Sequence, residues 1–176
     1  HYEAETVLPA FLEAVGVTTP ILFGHSDGAT IALIAAGAHP DITPGIIIEA
    51  PHVFVEPITL AGIEAAKEIY RTTNLREKLN RYHPDPDAVF AAWTETWTAP
   101  YFRDWNVEEY VPKVRCPVLM IQGLQDEYGS AAQLEAIKAG WTDRKILMLD
   151  RCAHSPHRDQ PEAVLQAAAA FVKRIA

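Results

Sequence analysis

Apolar and polar residues alternate along this chain in two distinct periods. In "EAETVLPAFLEAVG" the apolar positions Val7, Leu8, Phe11, Leu12 and Val15 recur at helical spacing, and Gly16 closes the run. "PILFG" is a short apolar run ending in glycine, which predicts a buried strand. "DGATIALIAAGAHP" is small and apolar over three turns and stops at a proline, predicting a helix, and "GIIIEAP" predicts a second buried strand. Between Pro57 and Asn106 the strand signal weakens. Helical stretches such as "GIEAAKEIYRTTNLREKLNRYH" and "PDAVFAAWTETW" take over, with Trp93, Trp97 and Trp105 among them. The alternation then resumes: strand "CPVLMIQG", helix "SAAQLEAIKAG", strand "KILMLD" and helix "PEAVLQAAAAFVKRI", with Pro161 near its start.

Strands that alternate with helices predict an α/β fold, a mostly parallel sheet with helices on both faces. The helical stretch at about 57–106 is then an insertion between strands of a single domain spanning 1–176. Composition changes this picture little. Apolar residues make up 49% and charged residues 22% of the 176 residues, ordinary for a globular protein. The net charge of -8 argues against nucleic acid or an anionic membrane as the partner. No apolar run nears the ~18 residues needed to span a bilayer. Cys116 and Cys152 are too few for a disulfide scaffold and are expected to be mostly buried thiols in a reducing, cytoplasmic setting.

In an open parallel sheet, ligands bind beyond the carboxyl ends of the strands. Beyond the first lies Gly24-His25-Ser26-Asp27-Gly28, a G-x-S-x-G pattern in its expected strand–turn–helix context. Glycines on either side let the turn tighten until a side chain at Gly24 or Gly28 would strike backbone, and the serine hydroxyl then stands clear beside a helix N-terminus. Beyond the third strand lies Asp126, with Glu127 adjacent and Glu49, at the end of the second strand, as a weaker candidate acid. Beyond the fourth lies His154, with His157 as its near competitor. Nucleophile, acid and histidine thus follow in that order, each just past a strand.

The stretches "GHSDGATIAL", "CPVLMIQGLQDEYGS" and "CAHSPHRDQPEAV" resemble the elbow, the acid-bearing loop and the histidine loop of the α/β-hydrolase superfamily. The resemblance runs the whole length of the chain and implies the C-terminal portion of the α/β-hydrolase fold, with the insertion at 57–106 as a helical cap. It implies a serine hydrolase of small carboxylic esters with Ser26, His154 and Asp126 as triad and the Asp27 backbone N–H as an oxyanion donor. No metal or organic cofactor is implied. His25, Trp93, Trp97 and Trp105 are candidates for substrate binding, the tryptophans alternatively forming the core of the cap. "SDG" is similar to biphenyl-hydrolase-like esterases, in which the acid after the nucleophile binds a substrate ammonium. Lactonase, carbon–carbon hydrolase and perhydrolase chemistry share the triad. A serine nucleophile is unlike the aspartate of the fold's dehalogenases and epoxide hydrolases.

The resemblance also implies about four strands and a helix ahead of the elbow strand, and a second oxyanion donor within them. Here one helix precedes it. The expectation is a piece of a longer protein, ahead of a shortened protein that completes its sheet as a homo-oligomer or a minimal hydrolase. A complementing N-terminal segment or second copy would then meet the edge of the elbow strand. The rival from outside enzymology is a catalytically impaired binding or scaffold module.

Overall fold

The computed structural model describes residues 1–138 and 143–175. Four strands form one sheet in the order β1-β2-β3-β4: β1 Leu22–His25, β2 Ile46–Glu49, β3 Val118–Gly123 and β4 Arg144–Leu149. All three pairings are parallel, with Gly24 opposite Ile48, Ile48 opposite Met120 and Met120 opposite Ile146. Each strand lies within a residue or two of its expected position. The helices joining them are α1 Leu8–Ala14, α2 Asp27–Ala38, α6 Ala131–Lys138 and α8 Pro161–Ile175. A short α7, Pro156–Asp159, occupies part of what reads in sequence as the loop before α8. The expected end of α6 at Ala139 and Gly140 lies outside the described residues.

Burial explains why β2 and β3 read as unbroken apolar runs. All four residues of β2 and all six of β3 are buried, as strands covered on both faces must be. Ile47, Leu119 and Ile121 pack with Val164, Ala168 and Phe171 of α8, which follow one another at helical spacing. The alternate residues Ile46, Ile48, Val118 and Met120 are equally buried and point to the opposite face. β1 is an end strand of this sheet, and its Phe23 is exposed.

The chain divides into two compact units, 1–54 with 106–176, which carries the sheet, and 55–105. The second unit is helical: α3 Pro57–Thr72, α4 Leu75–Leu79 and α5 Pro86–Thr98. The long helical stretch expected from residue 62 to 83 is broken at Thr73, whose backbone is extended. Thr72 and Thr73 both turn their hydroxyls back onto carbonyls one turn earlier, at 2.7 Å each, and the Thr73 hydroxyl also accepts the Leu75 N–H at 3.2 Å as the next helix starts. Asp85 caps α5 by accepting the Ala88 N–H at 3.0 Å, with Pro86 at the first helical position. Trp97, Phe102 and Trp105 form an aromatic cluster, Phe102 stacked on Trp105 at 5.3 Å and Trp97 edge-on to both.

Cys152 is buried, Cys116 is half-buried, and both are free thiols. Burial pushes each thiol up to about 11, so both stay protonated at neutral pH.

The two sides of α8 make a direct check on this architecture. Phe171→Ala, at 1% exposure, is expected to cost about 3–5 kcal/mol. Leu165→Ala on the same helix, at 70% exposure, should stay within about 0.5 kcal/mol of wild type. Urea unfolding followed by circular dichroism measures both.

Candidate active site

Four strand ends present the polar residues of this unit, and the first does so through strain. Ser26 has φ 55° and ψ -120°, a conformation that L-residues rarely adopt. Three bonds hold it there. Its N–H donates to Glu49 C=O at 2.9 Å, and its own C=O accepts from the N–H groups of Ala29 at 2.9 Å and Thr30 at 3.1 Å. The turn closes because Gly24 lets the end of β1 touch the first turn of α2. A Cβ at Gly24 would collide with the Gly28 carbonyl and with the Ala29 nitrogen. The expectation for Gly28 is corrected: a Cβ there meets nothing within 4 Å among the described residues. Gly28 contributes its backbone to the contact, and its own Cβ direction leads into open space.

The histidine loop is fitted to the end of β3 in the same manner. A Cβ at Gly123 would strike the carbonyls of Cys152 and Ala153, so the strand approaches that loop as closely as backbone permits. Gln125 and Cys152 then exchange bonds: Gln125 N–H to Cys152 C=O and Cys152 N–H to Gln125 Oε1, each at 2.9 Å.

These constraints bring Ser26, His154 and Asp126 together. Ser26 Oγ lies 2.9 Å from His154 Nε2, and His154 Nδ1 lies 2.9 and 3.0 Å from the two oxygens of Asp126. A carboxylate only accepts, so Nδ1–H donates to Asp126, and Nε2 is left to accept the Ser26 hydroxyl proton. Asp126 is buried and also accepts Gln122 Nε2–H at 2.6 Å and the N–H groups of Tyr128 at 2.8 Å and Gly129 at 3.2 Å. Burial pushes the Asp126 carboxyl upward, the largest single influence. The bonds from His154, Tyr128 and Gln122, with the charge of His154, outweigh it and leave the group below its ordinary value.

The competitors have other partners. Glu127 accepts the backbone N–H of His154 at 3.2 Å. His157 Nδ1 pairs with Glu49 Oε2 at 2.7 Å. His25 donates Nε2–H to His154 C=O at 2.7 Å, so its side chain holds the histidine loop. Burial lowers the proton affinity of the His25 and His52 rings, which lie 5.0 and 5.7 Å from the His154 ring. Burial likewise pushes the Asp27 carboxyl up, against the opposing pull of His52, His154 and His25. Asp27 is the first residue of α2, where backbone N–H groups have no intrahelical partner. Trp97 and Trp105 pack with Phe102, and Trp93 packs edge-on to Phe90 at 5.6 Å, all within the 55–105 unit.

Sequence reading did not find Gln122, the Asp126 anchor, or His52, whose Nε2 meets Tyr128 C=O at 3.1 Å. A glutamine inside the apolar run "VLMIQG" was the available signal for the first, since a buried amide needs partners.

The sequence profile of the Alpha/beta hydrolase family matches residues 1–167. The chain belongs to the alpha/beta hydrolase family. It is 22% identical over 157 residues to a monoglyceride lipase homolog of Monkeypox virus, spanning 80% of this chain but only 57% of that protein. Among solved structures it is similar to a bacterial membrane phospholipase A, with a TM-score of 0.75 at 19% identity, covering 96% of this chain and 61% of that one. It is also similar to a thermophilic esterase from Thermogutta terrifontis, with a TM-score of 0.68 at 20% identity, covering 96% of this chain and 70% of that one.

The elbow geometry predicts opposite outcomes at its two glycines. Gly24→Ala is expected to destabilise by about 1–3 kcal/mol or more, because backbone must move. Gly28→Ala should be neutral or stabilise by about 0.5 kcal/mol. Thermal unfolding of the two variants separates them.

Proposed function

We propose that this chain carries the catalytic relay of a serine hydrolase of small carboxylic esters, with Ser26 as nucleophile, His154 as general base and Asp126 as its orienting acid. The observation that carries the reading is the unbroken relay from Ser26 Oγ through His154 to Asp126, with both links at 2.9 Å. Family membership and likeness to an esterase and a phospholipase support it.

In this mechanism His154 Nε2 takes the hydroxyl proton as Ser26 Oγ attacks the acyl carbon. Asp126 holds Nδ1–H and stabilises the imidazolium that forms. The oxyanion lies at the N-terminal end of α2, where the Asp27 N–H and the helix dipole favour negative charge. Collapse of the adduct expels the alcohol, which takes the proton from His154. Water, deprotonated by His154, then releases the acid and regenerates Ser26. A second oxyanion donor would come from elsewhere, and lacking one costs on the order of 10²–10³ in rate. The helical unit 55–105 serves as the cap in this reading, and Asp27 as the nearest acid for a substrate ammonium. A cytoplasmic setting goes with the two protonated, unpaired thiols. The edge of β1 pairs with a further strand, from a complementing N-terminal segment or a second copy.

Two experiments test this. A p-nitrophenyl ester should give burst release of p-nitrophenol, and a fluorophosphonate should label Ser26. Ser26→Ala is expected to abolish both, and unchanged turnover in that variant refutes the assignment. A wild-type protein that never labels points instead to a binding or scaffold module. For the edge, Phe23→Lys is expected to weaken concentration-dependent association in sedimentation velocity, and equal association in both proteins counts against strand pairing there.

A further inference from the structure

Glu49 is a buried acid that the relay above does not use. It ends β2, after three isoleucines, at 0% exposure. Its Oε2 lies 2.7 Å from His157 Nδ1, and its Oε1 is buried with no hydrogen-bond partner among the described residues. A buried carboxyl with an unsatisfied oxygen costs stability that a fourth apolar residue would avoid. Such a group calls for an explanation beyond packing.

Its position supplies one. Glu49 is the register partner of His25, the residue before Ser26, and its backbone C=O holds the Ser26 N–H at 2.9 Å. Its side chain reaches in the other direction. His157 sits on α7, three residues after His154, and the N–H groups of Arg158 and Asp159 bond back to Ser155 C=O at 2.9 and 3.0 Å. The Asp159 carboxylate in turn accepts the Ala153 N–H at 2.8 Å. Gripping His157 therefore fixes the segment on both sides of His154. Between the two pairs stands His25, whose ring meets the His157 ring edge-on at 4.9 Å while its Nε2–H holds His154 C=O at 2.7 Å.

We infer that Glu49 is a positioning residue which, through His157 and α7, sets the distance between His154 Nε2 and Ser26 Oγ. One residue thereby references both halves of the relay to β2: the nucleophile through its main chain, the base through its side chain. The inference rests on the hydrolase reading and deepens it. Removing the link leaves His154 attached through Asp126, His25 and Glu127, so the relay loosens rather than breaks. Displacement by a fraction of an ångström lowers the acylation rate and leaves ground-state binding alone.

Glu49→Leu, His157→Ala and the double variant form the test, read by pre-steady-state burst with a p-nitrophenyl ester. Each single change is expected to lower the acylation rate constant on the order of tenfold, with the substrate dissociation constant, read from the concentration dependence of the burst rate, within twofold of wild type. The double variant should be no slower than the singles, because both changes cut one link. Glu49→Gln, which keeps an acceptor for His157, should recover most of the rate. Glu49→Leu should unfold at the same temperature as wild type or higher, which sets positioning apart from a structural role. His157→Ala leaves the buried Glu49 carboxylate without its His157 bond, so thermal unfolding is recorded for every variant and the rates are compared at a temperature where each is folded. Rates within twofold of wild type in both singles, or losses that multiply in the double variant, overturn the inference. Absence of burst and labelling in wild type is the failure of the hydrolase reading. The link is then read from backbone hydrogen exchange over residues 153–159, expected to quicken about tenfold in His157→Ala, and unchanged exchange overturns it.

Discussion

Everything at the strand ends depends on one backbone contact, the end of β1 against the first turn of α2. Gly24 allows it, and the contact forces Ser26 into a positive φ that its neighbours must hold. The strain has a geometric return. The serine is lifted off the sheet, its N–H is tied to β2, and the N-terminus of α2 points at the space beside its hydroxyl. A relaxed loop would place the same residues without fixing any of these directions.

The sheet beneath resolves the conflict between a dry core and a polar site by position along each strand. Ile46 to Ile48 and Val118 to Ile121 are apolar and fully covered, and polarity begins only at Glu49 and Gln122, the last turns of the pleat. Those buried polar groups are satisfied incompletely, with Glu49 Oε1 and Gln122 Oε1 lacking partners among the described residues. Stability is spent there for geometry, the pattern expected where a site is built into a fold.

Local pattern made the layered α/β fold readable, because strands buried on both faces and amphipathic helices each carry their own period. The order Ser26, Asp126, His154 was equally open to reading, since each lies a few residues past an apolar run. The link between Glu49 and His157 was hidden because it joins residues 108 positions apart, and no periodicity encodes such a pairing. Gln122 was visible as an amide inside an apolar run, but its partner Asp126 was not encoded by any period. Gly28 misled because a pattern names residue types while steric need depends on where each Cβ points. The break at Thr73 lies inside a stretch whose apolar spacing is continuous, so periodicity alone does not register it.

The strand that carries Ser26 is four residues long and, among the described residues, has a single hydrogen-bonded neighbour in the sheet. Strands at such margins fray with a lower free energy than the buried interior. The geometry at Ser26 therefore has the lifetime of the β1–β2 pairing, whereas β2 and β3 are each paired on both sides. A further strand laid along β1 would lengthen that lifetime without touching Ser26, His154 or Asp126.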